Sequence, residues 1–310
     1  MTAPVIFLMG PTASGKTDLA VELVRRFPCD IISVDSAMIY RGMDIGTAKP
    51  GPALLQVAPH RLIDILDPTE SYSAAQFCRD ARSEIAAVRS AGRIPLLVGG
   101  TMLYFRALQQ GLSSLPSADH AVRVRLEEEA QTRGWAALHE RLAKIDPAAA
   151  ARIHPNDPQR IQRALEVYEL SGRPMSDLLG QGEAPWRGPL IKLALIPVDR
   201  ELLRQRISAR FHSMLEQGLV NEVQSLRTRG DLARERPAIR CVGYRQVWEY
   251  LEGELPYEAM INKAIIATGQ LAKRQITWLK KEKEARWFDV SDEKLYSRAI
   301  TYIKTLLVTS

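Results

Sequence analysis

The stretch that most constrains this chain lies at residues 10–17, between an apolar run and a helical pattern. The run Val5–Met9 has the length of a buried parallel strand, and residues 18–26 have the spacing of a helix. Glycines in the turn let the backbone approach a phosphate, and the amides at the helix N-terminus point at the anion. The turn consists of Gly10, Pro11, Thr12, Ala13, Ser14, Gly15, Lys16 and Thr17. We therefore predict a phosphate-binding P-loop for a diphosphate or polyphosphate.

Two residues of this loop carry specific chemistry. Lys16 places a positive charge beside the phosphates, and the Thr17 hydroxyl is a ligand suited to Mg²⁺. A chance glycine-rich turn before a helix is the alternative, but here the motif and its strand–turn–helix context occur together. The remaining sequence is therefore interpreted around a bound phosphate group.

Further apolar runs predict the rest of a parallel sheet. The runs 31–34, 62–66, 94–98 and 190–198 have the length and composition of buried strands, and helical patterns separate them. This alternation predicts an α/β fold, a P-loop-containing three-layer core with a parallel sheet. With 310 residues, 46% of them hydrophobic and 25% charged, the chain is large enough for such a core and one accessory domain.

Two polar residues follow predicted strands at the edge where the P-loop lies. Asp35 comes directly after the run 31–34, and Thr101 follows a Gly-Gly pair after the run 94–98. Ligands in open α/β sheets bind beyond the carboxyl ends of the strands, so both side chains are expected to face one crevice. Each residue also suits a simpler role as the cap of the next turn or helix. The segment 37–50 mixes glycines with polar residues and is predicted to be a loop over this crevice.

Between residues 113 and 187 the sequence changes to Arg, Glu and Ala with helical periodicity. Helices are predicted at 121–133, 135–144 and 158–171, and no strand pattern interrupts them. Segments containing Gly, Ser and Pro flank this region. We therefore predict a mainly helical insertion domain at 113–187 within a discontinuous catalytic core of residues 1–112 and 188–310.

Positive charge is concentrated in three parts of the sequence. Gln159 and Arg163 share one helical face, two arginines flank the turn 241–244, and basic residues surround Trp278. Such patches suit phosphates and a stacked base, although each alone is more commonly a solvated face or a half-buried Trp. The net charge of +6 and the pI near 9.3 agree with an anionic partner larger than one nucleotide.

The cysteine pattern and the hydropathy predict a soluble, cytoplasmic protein. Cys29, Cys78 and Cys241 are far apart and lack the Cys-x-x-Cys spacing of a zinc or redox site, so reduced thiols are expected. Neither a signal peptide nor an apolar run of about 20 residues, the length that spans a membrane, is expected.

Five sequence blocks together resemble the tRNA dimethylallyltransferases, or tRNA isopentenyltransferases, of the bacterial type. The blocks lie at 10–17, 35–36, 43–50, 99–104 and 239–246. In order, they read G-P-T-A-S-G-K-T, D-S, M-D-I-G-T-A-K-P, G-G-T-M-L-Y and I-R-C-V-G-Y-R-Q. A P-loop alone indicates only a superfamily, whereas five blocks in this order are highly specific. The resemblance extends over essentially the whole chain.

The resemblance implies a reaction and its cofactor. The dimethylallyl group of dimethylallyl diphosphate passes to N6 of the adenosine immediately 3′ of the anticodon in tRNA, and diphosphate leaves with Mg²⁺. Asp35 is then the general base, Lys16 neutralises the leaving group, and Thr101 hydrogen-bonds Asp35 or the departing oxygen. A monomer is expected. Met38 departs from the Gln of many members, and the zinc finger of some eukaryotic relatives is not expected.

The remaining site residues fall into two groups. The diphosphate and metal site comprises the loop from Gly10 to Thr17 with Arg210, and Thr17 is the metal ligand. The residues predicted to contact tRNA are Asp35, Ser36, Ala37, Met38, Thr101, Arg123, Gln159, Arg160, Ile161, Gln162, Arg163, Arg240, Cys241, Val242, Gly243, Tyr244, Arg245, Lys273, Arg274, Gln275, Trp278 and Lys280.

Two other functions use the same loop. An ATP-dependent small-molecule or nucleoside kinase would transfer phosphorus, commonly with arginines from a mobile lid. An NTP-switched RNA-binding protein would bind RNA without forming a product. Neither explains why Asp35 and Thr101 flank the P-loop, so the sequence favours the transferase.

Overall fold

A computed structural model of the chain describes residues 3–180, 182 and 184–308. The chain divides into two compact units. The first unit comprises the chain up to Ala107 and from Arg187 onward, and the second is Leu108–Trp186. The sequence predicted an insertion domain at 113–187. The second unit begins before that range, at Leu108, and ends at Trp186.

Strands and helices alternate before the second unit, whereas in the described residues after it four consecutive helices separate two strands. Up to Gln110 they are β1 (Val5–Met9), α1 (Lys16–Arg26), β2 (Cys29–Val34), α2 (Pro52–Val57), β3 (His60–Arg61), α3 (Ala74–Ser90), β4 (Ile94–Gly99) and α4 (Met102–Gln110). Within the second unit follow α5 (His120–Ile145), α6 (Pro147–Ala150), α7 (Pro158–Ser171) and α8 (Met175–Leu178). The chain then forms β5 (Leu190–Ile196), α9 (Arg200–Glu216), α10 (Leu219–Thr228), α11 (Tyr244–Leu251), α12 (Tyr257–Leu279), β6 (Arg286–Asp289) and α13 (Leu295–Val308).

The strands form one parallel sheet with helices on both faces. Across the described ranges the strand order is β3-β2-β4-β1-β5-β6. Ile6 and Leu8 of β1 pack on one face with α1 and α13, whereas Phe7 points to the other face and contacts Phe105 of α4 with ring centroids 4.8 Å apart. The predicted three-layer α/β core with a parallel sheet is therefore confirmed.

The strand prediction was wrong at one place and incomplete at another. The predicted strand 62–66 does not form, because Leu62 and Asp64 have φ values of 60° and 55°, which an extended strand does not allow. The third strand is the short β3 just before this segment. The edge strand β6 was not predicted, since only Phe288 within it is buried.

The second unit is helical and has its own apolar core. Residues of α5 and α7 such as Leu126, Leu142 and Leu165 are buried together. Gly134 interrupts α5 with a φ of 79°, at the break predicted between the helices 121–133 and 135–144. The carboxylate of Asp119 caps α5, as short polar side chains commonly do at helix starts.

A second apolar cluster of the first unit attaches the loop 37–50 to the helices that follow β5. Met43 of this loop is buried with Leu219 of α10, Tyr244 of α11 and Met260 of α12. The loop is therefore packed on a helical layer. No helix in the described residues is long and apolar enough to cross a membrane.

Candidate active site

Three neighbouring strands deliver the predicted catalytic residues to one edge of the sheet. Met9 of β1 pairs with Gly99 of β4, and Gly99 pairs with Val34 of β2. Because the strands are parallel, the segments after them leave the sheet on the same side. The P-loop, Asp35 and Thr101 therefore lie at one edge, as predicted.

Close packing at this edge requires glycine. A Cβ on Gly10 would lie 2.9 Å from the carbonyl oxygen of Leu195, and a Cβ on Gly100 would overlap the side-chain amide of Gln275. Gly15 has a φ of 77° and immediately precedes α1, which turns the chain into the helix. The N-terminus of α1 therefore faces the crevice, in the arrangement that binds phosphates elsewhere.

Lys16 lies across its own loop. Its Nζ donates to the Pro11 carbonyl at 2.6 Å and to the Ser14 hydroxyl at 3.4 Å. Burial lowers the pKa of Lys16 to about 7, the Asp35 carboxylate opposes this shift, and Arg210 adds to it. Lys16 is thus poised to gain full charge when an anion enters, since a nearby negative charge favours the ammonium form.

The Asp35 carboxylate is fixed by the backbone. Its Oδ1 accepts hydrogen bonds from the amides of Ala37 at 2.8 Å and Met38 at 3.3 Å. Burial lowers the pKa of both Lys16 and Arg210, and the negative charge of the same carboxylate opposes each shift. The sequence left two alternatives for Asp35, a cap of the next turn or a residue that faces the crevice. Asp35 does both in this structure, because the two backbone amides bind only its Oδ1.

Thr101 contacts the residue beside Asp35. Its Oγ1 accepts a hydrogen bond from the Ser36 amide at 3.1 Å and donates to the Ser36 hydroxyl at 3.4 Å. Of the two partners expected for Thr101, Asp35 does not receive its hydroxyl in this structure, because the hydroxyl is directed to Ser36. A hydrogen bond from Thr101 to the departing oxygen stays a prediction. Thr101 joins the end of β4 to the turn after β2.

Two cavities meet at the P-loop. The first has a volume of about 550 Å³ and is lined by Asp35 and Thr101, and the second, of about 570 Å³, is lined by Lys16 and Thr17. Ala13 and Arg210 line both cavities. Both volumes lie in the range usual for small-ligand sites.

The two cavities differ in chemistry. The second is lined by the charged side chains of Asp18, Lys49, Arg206 and Arg210. The first contains a long apolar wall, formed by Met102, Leu103, Ile207, Phe211, Met214 and Leu271. The arrangement can therefore hold an anion on one side of the P-loop and an apolar group next to a carboxylate on the other.

Most of the core residues predicted to contact tRNA line the first cavity. They are Asp35, Ser36, Ala37, Thr101, Arg240, Cys241, Val242, Gly243, Tyr244, Arg274, Gln275 and Trp278. Lys273 borders a smaller surface depression next to Arg274 and Trp278. Met38, Arg245 and Lys280 are not among the residues that line either cavity.

Gln275 and Tyr244, both predicted to contact RNA, have hydrogen-bond partners within the protein. The Gln275 side chain accepts from the Thr12 amide at 2.9 Å and donates to the Gly100 carbonyl at 3.0 Å, so it joins the P-loop to the end of β4. Tyr244 is fully buried, and its hydroxyl donates to Glu222 at 2.5 Å. A side-chain contact of Tyr244 with RNA is therefore corrected.

The predicted RNA contacts of the second unit divide into exposed, half-buried and fully buried residues. Gln159 and Arg160 are exposed, whereas Ile161 is fully buried in the apolar core, so its predicted side-chain contact is wrong. The half-buried polar residues share one network: Arg123 and Arg163 bind the buried Glu166 at 2.8 Å and 2.6 Å, and Gln162 donates to the Arg123 carbonyl.

The sequence missed several residues of the cavities. Gly46 and Thr47 line the first cavity, and their block 43–50 was already recognised. Ile207, Phe211 and Met214 recur at helical spacing on α9, a signal that marks one apolar face. Arg106 lies 5.6 Å from the ring of Trp278, as does Lys281, and nothing in the sequence around Arg106 indicates this contact.

The donor set for a metal ion is small. Thr17 lines the second cavity beside Asp18, and no cluster of three or more His, Cys, Asp or Glu residues that would hold a metal occurs in the described part of the chain. Mg²⁺ usually keeps several waters and binds through one or two protein oxygens and the phosphates of the substrate. Thr17 with a diphosphate therefore fits Mg²⁺.

Comparisons with known proteins agree on one family. The family model for IPP transferase matches residues 38–282. The chain is 66% identical over 283 residues to the tRNA dimethylallyltransferase of Thioalkalivibrio sulfidiphilus, which covers 90% of this chain and 88% of that protein. It is 61% identical over 284 residues to the tRNA dimethylallyltransferase of Alkalilimnicola ehrlichii, covering 91% and 89%. The crystal structure of the full-length tRNA isopentenylpyrophosphate transferase from Bacillus halodurans superposes with a TM-score of 0.72 at 37% identity, covering 99% of this chain and 97% of that chain.

Proposed function

The chain belongs to the IPP transferase family of tRNA dimethylallyltransferases, and we propose that it transfers the dimethylallyl group of dimethylallyl diphosphate to N6 of the adenosine immediately 3′ of the anticodon in tRNA. The observation that carries the details of this proposal is the meeting of two cavities at the P-loop, one charged and one apolar with Asp35 in its wall. A prenyl diphosphate has both characters, since an anionic head is joined to a short apolar chain.

The diphosphate head binds in the second cavity. Lys16 and Arg210 line it, and the amides at the N-terminus of α1 face it. As the bond between the allylic carbon and oxygen breaks, its electron pair goes to the diphosphate, whose charge grows. Fixed positive groups at that position stabilise the transition state more than the ground state.

Thr17 is the residue that would hold Mg²⁺ together with oxygens of the diphosphate. When bound, the ion supplies positive charge to the leaving group. Lys16 and Arg210 act on the same oxygens, so these two side chains also neutralise the charge of the leaving diphosphate.

The prenyl chain and the adenine meet in the first cavity. Apolar residues such as Ile207 and Phe211 exclude water from the allylic carbon, which carries positive charge in the transition state. Burial and the Asp35 charge raise the pKa of the Cys241 thiol in this wall to about 12, so it stays protonated and is a weak competitor for that carbon.

Asp35 accepts the proton that N6 loses as the carbon–nitrogen bond forms. Its Oδ1 is held by the amides of Ala37 and Met38, and we assign Oδ2 to the N6 amino group. A carboxylate oriented by the backbone needs no rearrangement to act as a base. Thr101 keeps the Asp35–Ser36 turn beside the P-loop through its bond to the Ser36 amide.

The acceptor reaches this cavity only if its base leaves the stack of the anticodon loop, as in other base-modifying enzymes. Arg240, Arg274 and Trp278 line the first cavity and suit phosphates and stacked bases. Arg106 and Lys281 flank the Trp278 ring and add positive charge there.

The reaction is tested by incubating the protein with unmodified tRNA, Mg²⁺ and dimethylallyl diphosphate, followed by digestion and mass spectrometry of the nucleosides. We expect N6-dimethylallyladenosine next to the anticodon and release of one diphosphate per product. Parallel reactions with ATP and nucleosides test the kinase alternative. Phosphorylated products without a prenylated nucleoside would overturn the proposal.

A further inference from the structure

One loop forms a wall of both cavities. Gly46 and Thr47 line the first cavity, and the next residues, Ala48, Lys49 and Pro50, line the second. The segment is an irregular loop without a strand or helix of its own in its described residues 41–50. Its position therefore depends on contacts with other elements.

A single carboxylate binds this loop through successive backbone amides. Glu222 Oε2 accepts from the amides of Asp44 at 2.9 Å and Ile45 at 2.8 Å, and its Oε1 accepts from the amide of Gly46 at 3.1 Å. Successive amides that converge in this way form a concave site for an anion. Here the anion is supplied by α10 of the same chain.

The fourth hydrogen bond to Glu222 connects the loop to α11. The Tyr244 hydroxyl donates to Glu222 Oε1 at 2.5 Å, and its ring lies directly beneath Gly46. A Cβ on Gly46 would lie 2.5 Å from that ring and 2.8 Å from Leu219. The loop is thus held by polar contacts at its amides and by close packing at Gly46.

We propose that Glu222 is a positioning residue for prenyl transfer, which sets the common wall of the two cavities by holding the amides of residues 44–46. This role rests on the proposed function, because it concerns the same donor and acceptor sites. Glu222 lines neither cavity and does not touch the reacting atoms. Its influence passes through Gly46 and Thr47 on one side and through Lys49 on the other.

The geometry gives a graded expectation for two substitutions. In Glu222→Gln the charge is lost, and the NH₂ group that replaces one oxygen cannot accept from the backbone amides at that position, so at least one of the four contacts is lost. In Tyr244→Phe the ring stays beneath Gly46, and only the hydroxyl donor is removed. Since the first change removes the charge from all four hydrogen bonds and the second removes only one bond, the first change should have the larger effect.

The test measures kcat and KM for dimethylallyl diphosphate and for tRNA in the full-length protein, well below the unfolding midpoint of each variant. We expect Glu222→Gln to lower kcat/KM by about tenfold or more for both substrates, and Tyr244→Phe by roughly twofold to tenfold for both. Glu216→Gln, an exposed residue at the end of α9, is the matched control for loss of a carboxylate and should behave as wild type.

The outcomes separate this role from others. Wild-type kinetic constants in folded Glu222→Gln and Tyr244→Phe, even with lowered unfolding midpoints, would show a purely structural role and overturn the inference. A fall in kcat/KM for one substrate alone would overturn the inference that Glu222 sets a wall shared by the two cavities. If Glu222→Gln does not fold, Tyr244→Phe decides by the same criteria. Absence of transfer by the wild-type protein would instead reject the proposed function itself.

Discussion

At the scale of single residues, the two oxygens of Asp35 have different proposed roles, and this difference makes the proposed role of Asp35 as a base testable. Oδ1 accepts from two backbone amides, and an Asn in the same place retains an oxygen for them. Asp35→Asn therefore keeps the turn after β2 while it removes both charge and basicity. Asp35→Ala removes the cap as well, at a cost of about 1 kcal/mol in stability.

We expect Asp35→Asn to lower the single-turnover rate of prenyl transfer by on the order of 10²–10⁴, the usual contribution of a general base. Diphosphate affinity should change little, because the P-loop is intact. Quench-flow at saturating tRNA measures the rate, and the unfolding midpoint serves as the control for the cap. A wild-type rate would leave Asp35 as a capping residue alone.

The lowered pKa of Lys16 predicts that binding of dimethylallyl diphosphate depends on pH. Burial lowers its pKa to about 7, so the ammonium is present below that pH and lost above it. We expect kcat/KM for dimethylallyl diphosphate to fall as pH rises above about 7, since this ratio reports the free enzyme. In Lys16→Arg the guanidinium stays charged, and the decline above that pH should disappear. An unchanged pH profile in Lys16→Arg would assign the decline to another group.

The positions of the proposed catalytic residues were predictable because each residue belongs to a short local pattern. The P-loop is contiguous, and Asp35 and Thr101 directly follow strands. Glu222 was missed, and the hydrogen bonds of Gln275 within the protein were not predicted, because their partners are distant in sequence: Gln275 and Thr12 are 263 residues apart, and Glu222 and Gly46 are 176 apart. No local pattern encodes such pairs, which depend on how the elements pack.

At the scale of helices and strands, burial decided which elements the sequence could predict. The central strands are apolar runs because both of their faces are covered. The edge strand β6 has one buried residue, and β3 is only two residues long. The predicted strand at 62–66 instead forms turns, since Asp64 binds the Lys49 ammonium at 2.5 Å and its amide bonds the Met38 carbonyl. These contacts arise from the loop 37–50 and are invisible in the run itself.

The helices of the second unit give a prediction about α5 and α7. Glu166 of α7 is fully buried and accepts from the Asp119 amide and from Arg123 and Arg163. We expect Glu166→Ala to lower the free energy of unfolding of this unit by about 1–3 kcal/mol, a range that allows for the partial exposure of both arginines. Amide hydrogen exchange in α5 and α7 measures the loss.

The same carboxylate predicts an acid sensitivity. Hydrogen bonds from both arginines and from the Asp119 amide outweigh burial and lower the pKa of Glu166. A carboxyl whose pKa is lower in the folded state stabilises the protein above its unfolded pKa and loses that contribution as pH falls. The destabilisation by Glu166→Ala should therefore shrink on acidification. Glu128→Ala, an exposed change on α5, is the control and should have little effect at any pH.

At the scale of the whole molecule, the second unit is the candidate for an additional tRNA-binding surface. Gln159 and Arg160 are its exposed members of the predicted RNA surface, and the side chains of Arg123 and Arg163 are partly exposed as well. We expect deletion of residues 114–186 to weaken tRNA binding and to flatten its salt dependence, by about 0.7–0.9 in slope for each lost phosphate contact. Titrations at several salt concentrations measure both. A folded core with unaltered tRNA affinity would exclude this role.

The position of β1 between β4 and β5 bears on how the chain acquires its fold during synthesis. β4 precedes the second unit and β5 follows it, so one edge of the strand that leads into the P-loop stays unpaired while the ribosome adds about 90 residues. At ~5–20 residues per second this exposure lasts roughly 5–20 s. The second unit has an apolar core of its own with which to fold in that interval. A shorter second unit would bring β5 out of the ribosome sooner. The speed of translation through this region therefore sets how long the open edge of β1 is available to other chains.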